Sequence, residues 1–153
     1  MKIGVISDTH NHLDPKVEKI FSGVEHILHG GDIGVPKVIL DLEAIAPVTA
    51  VLGNNDTWLN FKETEIFELA GRKFLLHHIV DVHREEQPIR QRILREKPDV
   101  VVFGHSHKPF NQMIGPTLFL NPGYSGKPRF KLDRSVAILH CDEGGVRAEV
   151  FPL

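Results

Sequence analysis

Five apolar runs in this chain stop at the same three residue types. "KIGVIS" runs into Asp8-Thr9-His10, "HILHGG" into Asp32, and "VTAVLG" into Asn54-Asn55-Asp56. "KFLL" runs into His77-His78, and "VVVFG" into His105-Ser106-His107. Short apolar runs bounded by turn residues read as buried strands. The carboxyl ends of neighbouring strands in an α/β sheet line its ligand crevice. If these runs are neighbours, their polar ends converge on one edge.

The intervening segments fit that arrangement. Asp14 offers an N-cap and Pro15 a first helical position. Val17, Ile20, Phe21 and Val24 then follow at helical spacing. Pro36 opens a second helix with Val38, Ile39, Leu42 and Ile45 on one side. "TEIFELAGRKFLLHH" reads as two strands joined through Ala70-Gly71, and "EQPIRQRILREK" as a polar helix ending before Pro98. "FNQMIGPTLFLNPG" and "RSVAILHCDEGGVRAEVF" read as β-hairpins turning near Gly115-Pro116 and Gly144-Gly145. Strand–helix alternation followed by hairpins predicts an α/β domain spanning 1–153 with a second, partly antiparallel sheet. A single doubly wound sheet with an antiparallel edge is the plainer alternative.

Composition narrows the function classes. The net charge of -2, without a long lysine or arginine run, does not point to stable nucleic-acid binding or an anionic membrane surface. No apolar stretch approaches the ~20 residues of a membrane span. The start, "MKIGVISDTH", does not read as a signal peptide. Cys141 is the single cysteine, so no internal disulfide can form and a cytoplasmic location is the expectation.

Spacing turns the polar ends into a candidate metal site. Asp8 and His10 are two apart, as are His105 and His107, and in extended chain such pairs face the same way. Asp8, His10, Asp32, Asn54, His77, His105 and His107 give seven nitrogen or oxygen donors. That exceeds one tetrahedral zinc and suits two cations bridged by a carboxylate. Imidazole, carboxylate and amide without thiolate favour Mn, Fe, Co, Ni or Zn over Cu(I), Ca or Mg. Taken singly, each residue is ordinary turn chemistry. The joint pattern is what argues for a site.

Those motifs have a precedent. "SDTH", "GGD", "GNND", a histidine after the next long strand, and "GHSH" resemble, in order, the signature of the calcineurin-like metallophosphoesterases. The short length and "NPGYSGKPRF" are similar to the YfcE-like phosphodiesterase branch. The resemblance implies a β-sandwich flanked by helices with a two-metal site at one edge, manganese foremost. It implies that Asp8, His10 and His107 hold one ion, that Asn54, His77 and His105 hold the other, and that Asp32 bridges them. Two divalent ions against two carboxylates leave surplus positive charge, which attracts a phosphoryl group and acidifies a bridging water. The implied activity is hydrolysis of a phosphodiester by that hydroxide. Cyclic nucleotides, nucleic-acid ends and small diesters all remain open as substrates. A homodimer or homotetramer is compatible with the family. The alternative is a protein-binding scaffold, because the retromer complex uses a subunit of this fold as a binding surface.

Several residues carry weaker readings. Asn55 stands where many family members have a histidine that assists phosphate binding and leaving-group protonation; it and Asp56 are the candidate catalytic side chains. Asn55, His78 and Arg129 are the candidate substrate contacts. Tyr124 replaces the serine common after "NPG". Ser106 lacks the second glycine of a nucleophile elbow, because Lys108 stands there. "GYSGK" is too short for a phosphate loop. Cys141 reads as packing, and His29 as either an orienting residue behind the ligands or a satisfied strand histidine.

Overall fold

The computed structural model describes all residues 1–153. Ten strands form two five-stranded sheets. Sheet I has the order β10-β9-β1-β2-β3, with β1 Lys2–Ile6, β2 His26–His29, β3 Val48–Ala50, β9 Ser135–Asp142 and β10 Gly145–Pro152. Sheet II has the order β4-β5-β6-β8-β7, with β4 Thr64–Leu69, β5 Arg72–His77, β6 Val100–Val102, β7 Phe110–Ile114 and β8 Thr117–Asn121. The centre of each sheet is parallel: β1 with β2 and β3, and β5 with β6 and β8. Hairpins β9–β10 and β4–β5 and the strand β7 add antiparallel edges. The two-sheet expectation therefore holds over the single-sheet alternative.

Side-chain alternation explains the layering. Phe74 and Leu76 of β5 and Val100 and Val102 of β6 face the inter-sheet core, where they meet Ile3, Val5, Leu28, Leu118, Leu120 and Leu139. Leu75 and Val101 point the other way, onto Ile93 of the helix α3, Pro88–Glu96. Strands covered on both faces must be apolar throughout, which is why "VVV" reads without a polar gap. On the outer face of sheet I, Val17 and Phe21 sit with Val38, Ile39 and Leu42 of α2, Pro36–Glu43. Val17 lies in α1, Lys16–Ile20. Each fully buried side chain of this kind contributes roughly 1.5–3 kcal/mol. A Cβ at Gly4 would lie 2.9 Å from the Phe21 ring, so only glycine lets that ring rest on β1.

The helices start near the expected prolines but without side-chain caps: the N-cap residues are Pro15, Val35 and Gln87, and α1 stops at Ile20, before Phe21 and Val24. The Asp14 carboxylate accepts from the Lys16 N–H at 2.8 Å, and α1 begins one residue later than the sequence suggests. Lys97 takes a left-handed conformation (φ 50°) and ends α3 before Pro98. Both late hairpins form, but they part company: β7–β8 completes sheet II, while β9–β10 returns to sheet I beside β1.

Candidate metal centre

The parallel strands of both sheets deliver their carboxyl ends to one edge. Asp8 and His10 follow β1, Asp32 follows β2, Asn54 follows β3, His78 follows β5, and His105 and His107 follow β6. None of the paired ligands lies in extended chain. Asp8, His10, Asp32, His105 and His107 have φ of 55°, 43°, 54°, 70° and 62°. The expectation that i and i+2 point alike along a strand is thus corrected: each strand has ended, and the backbone turns to aim each side chain separately. Left-handed backbone at a non-glycine residue costs of order 1–3 kcal/mol, and such strain clusters at functional sites.

Asp8 is buried, and its two oxygens face different surroundings. Oδ2 accepts from the Ser7 hydroxyl at 2.7 Å and the His105 N–H at 3.2 Å. Oδ1 accepts from no donor and faces Nε2 of His107 at 3.3 Å, His10 at 3.7 Å and His78 at 3.8 Å. Asp32 Oδ2 lies 3.4 Å from His78 Nε2 and 3.6 Å from His10 Nε2. Asn55 braces Asp32 from behind. Its N–H donates to Oδ1 and its Nδ2 donates to Oδ2, both at 2.9 Å. Nδ1–H of His78 donates to the Gly30 carbonyl at 2.7 Å, which directs the Nε2 lone pair of the neutral ring at the two carboxylates. A backbone carbonyl fixing the tautomer of a ligating histidine is a recurrent feature of metal sites.

These atoms fit a cation. Asp8 Oδ1, His10 Nε2 and His78 Nε2 are buried without a hydrogen-bond partner, and buried polar atoms normally have one. Ligand atoms about 2.1 Å from one ion would lie roughly 3–3.4 Å apart, close to the separations seen. Two groups share the Asp8 carboxylate: Asp8 with His10 and His107, and Asp8 with Asp32 and His78. Beside them, His105 Nδ1 lies 3.2 Å from Asn54 Oδ1, and the His105 and His78 rings meet edge to face at 5.4 Å.

Charge agrees with geometry. Burial opposes ionisation of Asp8, but His10, the nearby His78 charge, Ser7 and His107 hold its carboxyl below the usual range. Burial likewise opposes ionisation of Asp32, and His78 and Asn55 more than reverse it. His78 is raised despite its burial, chiefly by Asp32 and Asp8.

The structure places four of the expected site residues differently from the sequence expectation. His77 does not join the cluster: it is the last residue of β5, pairs in register with Thr64, and its Nδ1 lies 2.8 Å from the Thr64 hydroxyl. His78, expected as a substrate contact, is the one whose ring faces Asp8 and Asp32, since adjacent residues at a strand end face opposite ways. Asp56 is not aimed at the site. Its carboxylate accepts from the N–H groups of Ile33, Gly34 and Gly53 and so ties the loop after β2 to the loop after β3. Arg129 is exposed and stacks over the Tyr124 ring at 5.3 Å. Tyr124 is itself buried, with its ring 4.9 Å from that of His107.

Other residues support the cluster from outside it. Asn121 Nδ2 donates to the Gly104 carbonyl, and the Ser125 hydroxyl donates to the Ser7 carbonyl. Gly53 and Gly104 lie so close to Asp32 and Asp8 that a side chain on either would displace a carboxylate. The Asn preceding Pro122 was the one hint available for Asn121.

His29 proves to be a fully buried brace behind the cluster. The Thr9 hydroxyl donates to the Ile33 carbonyl, so at 3.0 Å it must accept from His29 Nε2–H. The Gly31 N–H donates to His29 Nδ1 at 3.1 Å. Both ring nitrogens are thus committed in the neutral form, and a second proton would meet the Gly31 N–H head on. Burial pushes this histidine down to about 4, only partly offset by Asp8 and Asp56. The unfolded chain takes that proton first, near pH 6.5, so stability falls as pH drops from there and levels off near 4. In chelated protein, His29 alone should cost about 2 kcal/mol at pH 5 relative to pH 8. Denaturant melts across this window check it, and His29→Gln should flatten the loss.

Sequence and structure comparisons converge on one family. Residues 1–144 match the calcineurin-like phosphoesterase superfamily domain, and the chain belongs to that family. It is 36% identical to a probable metallophosphoesterase of Methanothermobacter thermautotrophicus, over 99% of this chain and 92% of that protein. It is 33% identical to a phosphodiesterase of Methanocaldococcus jannaschii, over 80% of this chain and 83% of that one. Among solved structures, an archaeal phosphodiesterase superposes with a TM-score of 0.79 at 28% identity, covering 99% of this chain and 100% of that chain. Vps29 of Entamoeba histolytica, solved with zinc, shares the fold at a TM-score of 0.76 and 24% identity, over 99% of each chain. The family implies divalent metal ions, and the unpartnered donors above are where this chain would take them.

Proposed function

We propose that the chain is a phosphodiesterase working with two divalent ions, manganese foremost. The observation that carries this is that Asp8 Oδ1, His10 Nε2 and His78 Nε2 are buried and unpartnered, with the two imidazoles 3.7 and 3.8 Å from that one carboxylate oxygen. Asp8, His10 and His107 would hold one ion. Asn54, His78 and His105 would hold the other, with Asp32 between them. The pair would supply positive charge for phosphoryl oxygens and a water acidified toward neutrality. The chain's own residues do the rest. Ser7 and Asn55 fix the carboxylates, and Gly30 fixes the His78 tautomer. The Ser106 hydroxyl accepts from Asn121 Nδ2 and the Lys108 N–H and has no imidazole as its base, which argues against it as a nucleophile.

Asn55 sharpens the substrate expectation. Its backbone N–H and one Nδ2–H are held by Asp32, and an amide supplies no proton to a leaving group near neutral pH. General acid help is typically worth about 10²–10⁴-fold, so the enzyme should favour esters whose leaving groups depart unprotonated. Metal analysis of the purified protein and assays of aryl phosphodiesters under Mn, Ni, Co, Zn and Mg test both statements. The expected result is bound metal, diester hydrolysis and a rate that falls steeply as leaving-group pKa rises. A metal-free protein inert toward every diester sinks the proposal, and a flat leaving-group series sinks the role of Asn55. The competing scaffold reading leaves the complete donor set without a use.

A further inference from the structure

Next to the cluster lies a cavity of about 650 Å³. Its wall is continuous with the metal centre, since Gly104 and His105 belong to it as well. Its floor is apolar. Val80 and Phe103 are buried, Val82 and Phe110 are half-buried, and the two phenyl rings lie 6.0 Å apart, tilted by 55°. Exposed Lys108 stands at its rim without a carboxylate partner. At its other end, Gln87 uses its Oε1 to accept from the Asp81 N–H, and its amide nitrogen remains available.

We propose that this cavity receives a nucleobase, so that the substrate is a nucleoside phosphodiester, with Lys108 meeting a further phosphate where one is present. The inference rests on the phosphodiesterase reading and names its substrate class. Size and chemistry select this occupant. Ligand pockets usually measure ~300–1,000 Å³, apolar with a few placed polar groups. A flat ring satisfies the phenyl floor and gives the Gln87 amide a partner at the ring edge, whereas a hydrocarbon chain would leave that amide unpaired. The cavity that His78 and Asn54 line measures about 170 Å³, below the usual size of a ligand pocket. A groove of about 640 Å³ beside Lys2, Lys16 and His140 shares no residue with the cluster, so it cannot hold the remainder of a bound ester.

Calorimetry on manganese-loaded protein tests this with inorganic phosphate, AMP and ADP. AMP should bind at least about tenfold tighter than phosphate, the range of one base stacked on aromatic rings. Val82→Trp, which fills the cavity, should erase that ratio and leave phosphate binding intact. Lys108→Ala, an exposed change that spares the floor, should abolish any gain of ADP over AMP. Equal binding of AMP and phosphate by the unmodified protein, or no AMP binding, overturns the inference, as does a ratio that survives in folded Val82→Trp protein. If AMP binds as expected but no diester is cleaved, the phosphodiesterase reading fails and the cavity assignment stands.

Discussion

Asp32→Asn is expected to lower hydrolysis by at least about 10³-fold, the scale of losing preorganised charge at a reacting centre, and to drop metal content below one ion per chain. Asp32 Oδ2 faces both His10 and His78, so one neutral amide removes an anionic donor from both halves of the cluster. The amide would also turn an N–H toward either the backbone N–H or the Nδ2 of Asn55, which both donate to Asp32. The fold should survive, because no core side chain is touched, and circular dichroism with elemental analysis checks this alongside the assay. A folded variant that keeps full activity would falsify the two-metal proposal. A scaffold, by contrast, would keep its partner through this substitution.

His78→Gln and His77→Gln should behave very differently although the residues are neighbours. His78→Gln is expected to cost about 10²–10³-fold in hydrolysis and to weaken metal binding, since Nε2 of His78 lies at 3.4 Å from Asp32 and 3.8 Å from Asp8. His77→Gln should stay within about threefold of the parent, because its loss removes only a bond to Thr64 at the sheet edge, worth roughly 0.5–1.5 kcal/mol of stability. Metal titrations followed by parallel assays of the two variants decide it. The reverse ranking would return the ligand role to His77.

That pair also marks where sequence reasoning stops. "KFLLHH" says that a strand ends in histidine but not at which residue. A strand alternates its faces with every step, so one residue of register decides whether an imidazole meets Asp32 or Thr64. The register comes from β4, which pairs Thr64 with His77. The same limit applies to Asp56 and Asn55. "GNND" is legible as a turn near the site, but which of its side chains holds a loop, which steadies Asp32 and which faces the cluster depends on a loop from another strand.

Strands, helices and hairpin turns were legible because they rest on local rules: apolar runs, helical spacing, and glycine or proline at the bends. The membership of Asp8, His10, Asp32 and the "GHSH" histidines in one group was legible for a related reason. Parallel strands of one sheet end on the same side, so Asp8, His10 and Asp32 have to meet, and the "GHSH" histidines join them where the second sheet ends at the same edge. The sequence by itself therefore determined the elements, the family and the chemical kind of the site. The tertiary structure alone decided how the two late hairpins divide between the sheets and which of two adjacent histidines faces inward. It also decided that five donors turn inward through left-handed backbone and that a cavity adjoins His105. Those outcomes depend on contacts between residues far apart in the chain, and no local pattern encodes the geometry of such contacts.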